Sequence, residues 1–195
     1  MPYTAEHKAR TRARIVENAR IMFNRHGFEQ VSIDQIMKQA GLTRGGFYNH
    51  FGSKDELYAE AVASFISCNP FARQPAATSG PASSPAKLAR MLIDLYLSDE
   101  IFGDVDQQCP LYALPSDVAR AGLKPRAAYT QLVQGMLHVF RRGLPGPRKA
   151  AERKAMLIVN LCVGGMVLAR TTHDPGLSRS LRAAARAQAL ALLDE

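Results

Sequence analysis

The sequence predicts an all-α protein with a short helical head and a larger helical body. Apolar residues recur at helical spacing, and no stretch sustains the alternation of apolar and polar residues that a strand requires. Capping residues and glycine or proline breakers divide the helical stretches from one another. Hydrophobic residues make up 47% of the 195 residues, which is enough for a sizeable core.

The first predicted helix has one apolar face and ends at Gly27. Residues at spacing i, i+4, i+7 and i+8 form that face, namely Ile15, Ala19, Met22 and Phe23. A basic run precedes them. It is either a solvated helix face or a surface that touches the DNA backbone or enters the minor groove. The run consists of Lys8, Arg10, Arg12 and Arg14.

The second predicted helix begins near Ile33 and stops at Gly41. Ser32 and Gln35 form a capping-box pattern at its start. A third, short helix is predicted from Thr43, a capping residue, to about residue 50, and a glycine at 52 breaks it.

A fourth helix is predicted to connect the head to the body. Ser53 and Glu56 form a second capping box at its start. We therefore expect a head over residues 1–52, a connecting helix over 53–67, and a body over 68–195. A Pro-, Ser-, Ala- and Gly-rich stretch at 68–86 predicts a mobile loop or linker.

The second and third helices are joined by the residues "AGLT", which matches the helix–turn–helix pattern. In that motif the first residues of the second helix face base edges in the major groove. Phe47 and Phe51 are predicted to point to the core, on the side opposite the polar residues. The residues predicted to face the bases are Thr43, Arg44, Gly45 and Gly46.

Two adjacent glycines inside a predicted helix each cost about 1 kcal/mol relative to alanine. We expect that Gly45 and Gly46 allow the helix backbone to approach the DNA major groove closely. Arg44 would then reach the O6/N7 edge of a guanine. The alternative is that the pair only marks a loop.

Four further residues are candidates for contacts to DNA phosphates, which set register rather than sequence. The helix N-termini at residues 32 and 53–54 add backbone N–H groups that favour an anion. Tyr48 could instead be half-buried, and His50 could only cap or pack. The candidate residues are Ser32, Tyr48, His50 and Lys54.

Charge and cysteine content restrict the class of protein further. The formal net charge of +8 favours an anionic partner such as nucleic acid. The three cysteines, Cys68, Cys109 and Cys162, form no CxxC pair, which argues against a disulfide framework and fits a reducing compartment. The polar N-terminus lacks a signal-peptide core. The apolar run at 155–169 is shorter than the roughly 20 residues of a spanning helix. We expect a soluble, cytoplasmic protein without a membrane partner.

The stretch "GLTRGGFYNHFGSKDELYAEAV" resembles the signature of TetR-family (tetracycline-repressor-like) transcriptional regulators. The residues before it fit the first two helices of that family, so the resemblance covers about residues 10–65. It implies an all-helical homodimer that binds a palindromic double-stranded operator, usually as a repressor released by a small molecule. It places residues 43–46 at the family's groove-facing positions, and Tyr48, His50 and Lys54 at its phosphate-contacting positions.

The body is predicted to hold helices near 87–97, 116–121, 125–142, 148–170 and 177–193. The helix that contains the run 155–169 is apolar all round and should be buried on several sides. By family resemblance, the last two helices form a four-helix bundle between two subunits. The alternative is that they belong only to the body's core.

A ligand pocket is expected among helices from 87 to 170, and its mostly apolar residues favour a hydrophobic or aromatic effector of unknown identity. A core position is the commoner role for any one of these candidates. The candidates are Met91, Tyr96, Phe102, Cys109, Tyr112, Tyr129, Met136, Phe140 and Met166.

The segment "QQCPLYALPSDVAR" resembles a Cys–Pro–Leu segment found in one subset of the family, some of whose members sense electrophiles through a cysteine. A sensing role for Cys109 would require an accessible thiolate, and an inert, partly buried thiol is the alternative.

Enzymatic function is not expected. No P-loop, Rossmann or Gly-x-Ser-x-Gly pattern occurs, the five histidines lack zinc spacing, and no cofactor or metal is implied. Two alternatives stay open: an architectural DNA-binding protein without a ligand, and a thiol enzyme that uses Cys109.

Overall fold

The structure, a computed structural model, describes residues 4–68 and 84–195, and every regular element there is helical. The predicted all-α class is therefore confirmed. Four elements precede the body, namely α1 (Ala5–Gln30), α2 (Ile33–Gln39), a 3-10 helix (Arg44–Asn49) and α3 (Lys54–Cys68). The first three, with the turns between them, form what we call the head, residues 4–52.

The body consists of α4 (Pro85–Tyr96), α5 (Asp99–Gly103), a 3-10 turn (Val105–Gln107), α6 (Pro110–Ala113), α7 (Pro115–Arg120), α8 (Leu123–Gly143), α9 (Arg148–Thr171) and α10 (Pro175–Asp194). All five predicted body helices are present, with ends shifted by a few residues. The short elements at 99–103, 105–107 and 110–113 were not predicted.

The predicted loop at 68–86 is too long at both ends. Cys68 ends α3, and α4 starts at Pro85 with the Ser84 side chain accepting a hydrogen bond from the Lys87 N–H at 3.3 Å. The rest of that prediction, residues 69–83, lies outside the described residues.

Helix α1 leaves helical geometry at Gly27, where φ is 76° and ψ is 171°, and then continues to residue 30. The break is therefore where it was predicted, although the helix resumes after it. A Cβ at this position would lie 2.9 Å from Oδ2 of Asp117. The same carboxylate accepts a hydrogen bond from the Phe28 N–H at 3.2 Å. The positive φ therefore favours glycine, and a larger residue would also have to displace the Asp117 carboxylate.

The capping box of α2 is confirmed. The Gln35 N–H donates to Ser32 Oγ at 3.2 Å, and the Ser32 N–H donates to Gln35 Oε1 at 2.8 Å. The second box is only half formed. The Glu56 N–H donates to Ser53 Oγ at 3.1 Å, but the Glu56 carboxylate accepts from the Gly52 N–H rather than from Ser53.

Helix α9 is long and apolar enough to cross a membrane by length and composition, but it packs along α8 and α10. Gly165 allows a close approach, because a Cβ there would lie 2.7 Å from Cβ of Ala185 on α10. The expectation that α9 is buried on several sides holds only in part for one chain. Three of its large apolar side chains are exposed, namely Met156, Leu157 and Leu168.

Candidate nucleic-acid interface

A tight turn joins α2 to the 3-10 helix. Gly41 has a φ of 67°, and the Leu42 N–H donates to the carbonyl oxygen of Met37 at 2.8 Å. Only glycine adopts this φ without strain, so the turn that sets the angle between the two helices depends on Gly41.

The 3-10 helix buries one side and exposes the other. Phe47 is fully buried and Phe51 is 2% exposed, while Tyr48 is 61% exposed. Arg44 and Gly45 are exposed as well. The predicted division into core and outer residues is therefore confirmed, although the predicted element was an α-helix. The bond from the Gly46 N–H to the Thr43 carbonyl oxygen, at 3.1 Å, has the i→i+3 spacing of a 3-10 helix.

The two glycines lie inside this helix, so the interpretation that they mark a loop is wrong. A Cβ at Gly45 would meet nothing within 4 Å. A Cβ at Gly46 would make ordinary contacts, at 3.6 Å to Cε of Met37 and 3.9 Å to Oγ1 of Thr43. Packing against the described residues therefore requires neither glycine, and the surface at Gly45 is open toward that part of the chain.

Arg44 is paired with an acidic residue that the sequence reasoning missed. Its Nη1 lies 3.0 Å from Oδ2 of Asp34, and both side chains are more than half exposed. Asp34 occupies the first turn of α2, where an acidic residue is expected from the helix dipole alone. The sequence position of Asp34 therefore did not indicate a role in DNA binding.

Two predicted phosphate contacts are partly engaged inside the head. The Lys54 ammonium donates to the carbonyl oxygen of Phe28 and lies 4.1 Å from the centre of its ring. Burial lowers the pKa of Lys54. His50 is half-buried, and burial, followed by the charges of Lys8 and Arg12, lowers the pKa of its imidazole. Their roles toward phosphate stay predictions, as does that of the exposed Ser32.

The basic run at the start of α1 is not uniform. Lys8, Arg10 and Arg14 are exposed. Arg12 instead lies 4.0 Å from the ring centre of Phe51 and pairs with Glu60 at 2.8 Å. Arg12 therefore fastens α1 to α3, and the expectation of a solvated face does not apply to it.

A second cluster fastens the head to the body. The guanidinium of Arg20 is 2% exposed and donates to the carbonyl oxygen of Asp106 at 2.7 Å. Asn24 Nδ2 donates to the carbonyl oxygen of Gln108 at 3.0 Å. Arg25 binds both oxygens of the Asp106 carboxylate, which lowers the pKa of that carboxyl. The head is thus tied to the segment directly before Cys109.

The body contains an apolar cavity of about 340 Å³, bounded by residues of α3, α4, α6 and α8. Four predicted lining residues are part of its wall, namely Met91, Tyr96, Cys109 and Met136. The sequence reasoning missed most of the wall, because which faces of α3, α4 and α8 converge is a tertiary property. The missed residues are Phe65, Ile66, Leu88, Leu92, Leu111, Gln131, Leu132, Gly135 and Val139.

Five predicted lining residues are not part of this cavity's wall, so a contact between them and a ligand stays a prediction. Phe102 lies beneath the guanidinium of Arg182, 4.2 Å from ring centre to carbon, and the Tyr112 ring packs edge-on against Tyr96. The Tyr129 hydroxyl donates to the carbonyl oxygen of Leu111 at 2.7 Å. The remaining two are fully buried core residues, Phe140 and Met166.

Cys109 lies in the cavity wall and is 4% exposed. Burial raises the pKa of its thiol to about 12, and hydrogen bonds with the Leu111 backbone and the Tyr96 side chain offset only part of that effect. The resting state is therefore a protonated thiol rather than the thiolate that reacts with electrophiles.

The fold and the exposed motif define an all-α helix–turn–helix protein with a separate helical body. Residues 15–61 match the family described as "Bacterial regulatory proteins, tetR family". The HTH-type transcriptional regulator YfiR of Bacillus subtilis is 36% identical over 59 residues, a match that covers 30% of this chain and 29% of YfiR. The chain is therefore similar to this family over its N-terminal part, and the predicted resemblance is confirmed.

Solved structures extend the likeness to the whole chain at the level of fold. A TetR transcriptional regulator from Chloroflexus aurantiacus has a TM-score of 0.75 and 21% identity, with 97% of each chain covered. The reduced form of E. coli NemR also has a TM-score of 0.75, at 16% identity, covering 92% of this chain and 95% of that one. Sequence similarity to the curated relative is confined to less than a third of either chain, so the body is related by fold alone.

Proposed function

We propose that this TetR-family chain is a ligand-responsive transcriptional regulator that represses nearby genes. It binds a palindromic operator as a homodimer and leaves it when a small hydrophobic, aromatic or reactive molecule enters the body. The observation that carries the proposal is the outer side of the 3-10 helix, where Arg44 and Tyr48 stand exposed beside the open surface of Gly45. A protein of this kind acts in the cytoplasm, where its DNA is, and needs no catalytic group.

The exposed apolar side chains of α9 and α10 support the homodimer. Leu157 and Leu168 are eleven residues apart, about three helical turns, and therefore lie on one face of α9. Leu177 at the start of α10 is also half exposed. A second copy of the chain would cover this face in a four-helix bundle, and two heads would then meet successive major grooves.

The cavity supports the ligand response. Among the described residues that line it, none carries a charge, and those with polar side chains are Tyr96, Cys109 and Gln131. Moving a charged group from water into such a wall is unfavourable. The effector is therefore an uncharged molecule, and a ligand that binds better to the DNA-incompetent arrangement shifts the population toward it.

Footprinting of the purified full-length protein on the DNA that flanks its own coding sequence tests the proposed function. We expect one protected, palindromic segment with wild type, and weaker protection of that segment with Arg44→Ala, which should cost about 1–3 kcal/mol of binding. Uniform coverage of the DNA by both proteins would contradict specific regulation.

The ligand site is tested with two fluorescent probes that differ by one sulfonate, N-phenyl-1-naphthylamine and 1-anilinonaphthalene-8-sulfonate. We expect the uncharged probe to bind roughly tenfold more tightly or better, because none of the described wall residues carries a charge that could pair with the sulfonate. Gly135→Leu should fill the cavity and abolish binding. Gly103→Leu, where an added Cβ also meets nothing within 4 Å, lies outside the cavity and should not. Equal binding of the two probes would contradict an uncharged ligand.

A further inference from the structure

The ion pair between Arg44 and Asp34 lies on the outer surface of the helix–turn–helix. Arg44 is the first residue of the 3-10 helix and Asp34 the second residue of α2, so the pair spans the turn between the two helices. Among the described residues, Asp34 is the only one whose side chain bonds to the Arg44 guanidinium. Neighbouring Gly45 offers no side chain that could hold it.

An arginine beside a glycine has many rotamers, and fixing one of them on DNA costs side-chain entropy. The Asp34 carboxylate engages one terminal nitrogen, Nη1, and leaves the other N–H groups of the guanidinium unused. Two of those donors suffice for the O6 and N7 atoms of a guanine. The carboxylate thus orients the guanidinium without consuming its capacity to recognise a base.

The same carboxylate acts against general binding. A negative charge on the DNA-facing surface is repelled by phosphates wherever the protein lands. The repulsion is offset only where Arg44 finds the base that its fixed orientation fits. An acidic partner therefore lowers affinity for arbitrary DNA more than it lowers affinity for the operator.

We propose that Asp34 is a positioning residue that presets Arg44 for one base pair in each half-site and raises sequence discrimination at the expense of general DNA affinity. The proposal rests on the proposed function, because it requires that Arg44 meets DNA.

Selection of duplexes from a random-sequence DNA library tests the proposal with the full-length protein. Four proteins are compared: wild type, Asp34→Asn, Arg44→Ala, and Asp55→Asn as the control. Asp55 is an exposed acidic residue in the first turn of α3, so the control removes the same charge from this end of the molecule without touching Arg44. We expect Asp34→Asn to lose about three- to fivefold in discrimination at one base pair per half-site, the size of an exposed ion pair. Its affinity for an unrelated duplex should rise.

The affected base pair is decisive. It should be the one at which Arg44→Ala loses preference, and adding Asp34→Asn to Arg44→Ala should change that preference no further. Asp55→Asn should keep the wild-type preferences at every position. Thermal unfolding of Asp34→Asn should match wild type, as for most surface substitutions.

Three results would overturn the proposal, and a fourth would overturn the proposed function itself. An Asp34→Asn motif identical to that of wild type would show that the pair does not position Arg44, even if Tm falls. Loss at a base pair that Arg44 does not read would mean that Asp34 contacts DNA directly. An equal loss of discrimination in Asp55→Asn would show that the change in net charge alone causes the loss. If wild type itself selects no sequence, specific DNA binding fails.

Discussion

The side-chain amide of Asn24 donates a 3.0 Å hydrogen bond to the backbone carbonyl oxygen of Gln108, the residue directly before Cys109. Asn24 belongs to the head, and Cys109 belongs to the wall of the body cavity. The bond thus connects the head to the residue that directly precedes the cavity wall residue Cys109. Two neighbouring bonds, from Arg20 to the Asp106 carbonyl oxygen and from Arg25 to the Asp106 carboxylate, connect α1 to the same segment.

Loss of the Asn24 amide should destabilise the folded protein. Asn24→Ala leaves a buried carbonyl oxygen without its donor, which costs about 1–3 kcal/mol. Urea denaturation of wild type and variant measures the difference. The control is Asn18→Ala on the same helix, where the amide bonds only to the carbonyl oxygen of Arg14 within α1. It should stay within about 0.5 kcal/mol of wild type. Equal stability of all three proteins would mean that Asn24 does not hold the head to the body.

Replacement of Lys54 should affect DNA binding differently from replacement of Arg44. Lys54→Ala removes a cation near the predicted phosphate path, so it should weaken binding similarly on all sequences. It should lower the slope of log affinity against log salt by about 1 for each phosphate that the variant no longer binds. Titration of two unrelated duplexes at several salt concentrations measures this slope. An unchanged slope would show that Lys54 binds no phosphate and interacts only with Phe28 among the contacts considered.

Removal of the apolar face of α9 should separate the proposed dimer. Leu168→Glu places a charge on a side chain that is 53% exposed in one chain and covered in the bundle we propose. Light scattering after size-exclusion chromatography should give a dimer for wild type and a monomer for the variant. Leu123→Glu is the control, because Leu123 is 83% exposed at the start of α8 and away from this face. A dimeric Leu168→Glu protein would exclude this surface as the interface.

Cys109 should react slowly in the native protein. Burial raises the pKa of this thiol to about 12, so the thiolate is a minor species at pH 8. Peptide mapping after brief iodoacetamide treatment should find Cys109 unmodified in buffer and modified in urea. If an electrophile nevertheless acts through this thiol, Cys109→Ser should bind the operator and ignore oxidants and alkylators. Rapid native alkylation would contradict the buried, protonated thiol.

Acid should destabilise the head through His50. Burial and the charges of Lys8 and Arg12 lower the pKa of His50 in the folded state. The unfolded chain binds the proton at the ordinary pKa of about 6.5. It therefore binds more protons than the folded chain around and below that pH, so stability falls as pH falls through about 6.5. His50→Gln should flatten the dependence of Tm on pH between about 7 and 5, whereas His173→Gln, at an exposed position in the body, should follow wild type. Parallel loss of Tm in all three proteins would contradict the role of His50.

The head could be predicted from the sequence because its signals are local. The Ser32 capping box, the Gly27 breaker and the apolar spacing of Phe47 and Phe51 can each be recognised from residues a few positions apart. Asn24 bonds to residue 108, and Arg20 bonds to residue 106. Each bond joins residues more than eighty positions apart, so the spacing of apolar residues along the sequence cannot predict it.

The cavity shows the same limit. Met91, Tyr96 and Met136 were predicted as lining because they are apolar and fall in the right region, but so were Phe140 and Met166, which are core residues. Residue type is the same in both sets. What separates them is the side of the helix that faces the gap between α3, α4 and α8, which only the tertiary packing decides.

Sequence-specific DNA binding is tested most simply by the affinity of the purified wild-type protein for a selected duplex and for the same duplex with its sequence scrambled, at one physiological salt concentration. We predict that the selected sequence binds at least about a thousandfold more tightly, and that Arg44→Ala loses part of this ratio. Equal affinity for the two duplexes, or a ratio that Arg44→Ala leaves unchanged, would contradict that prediction.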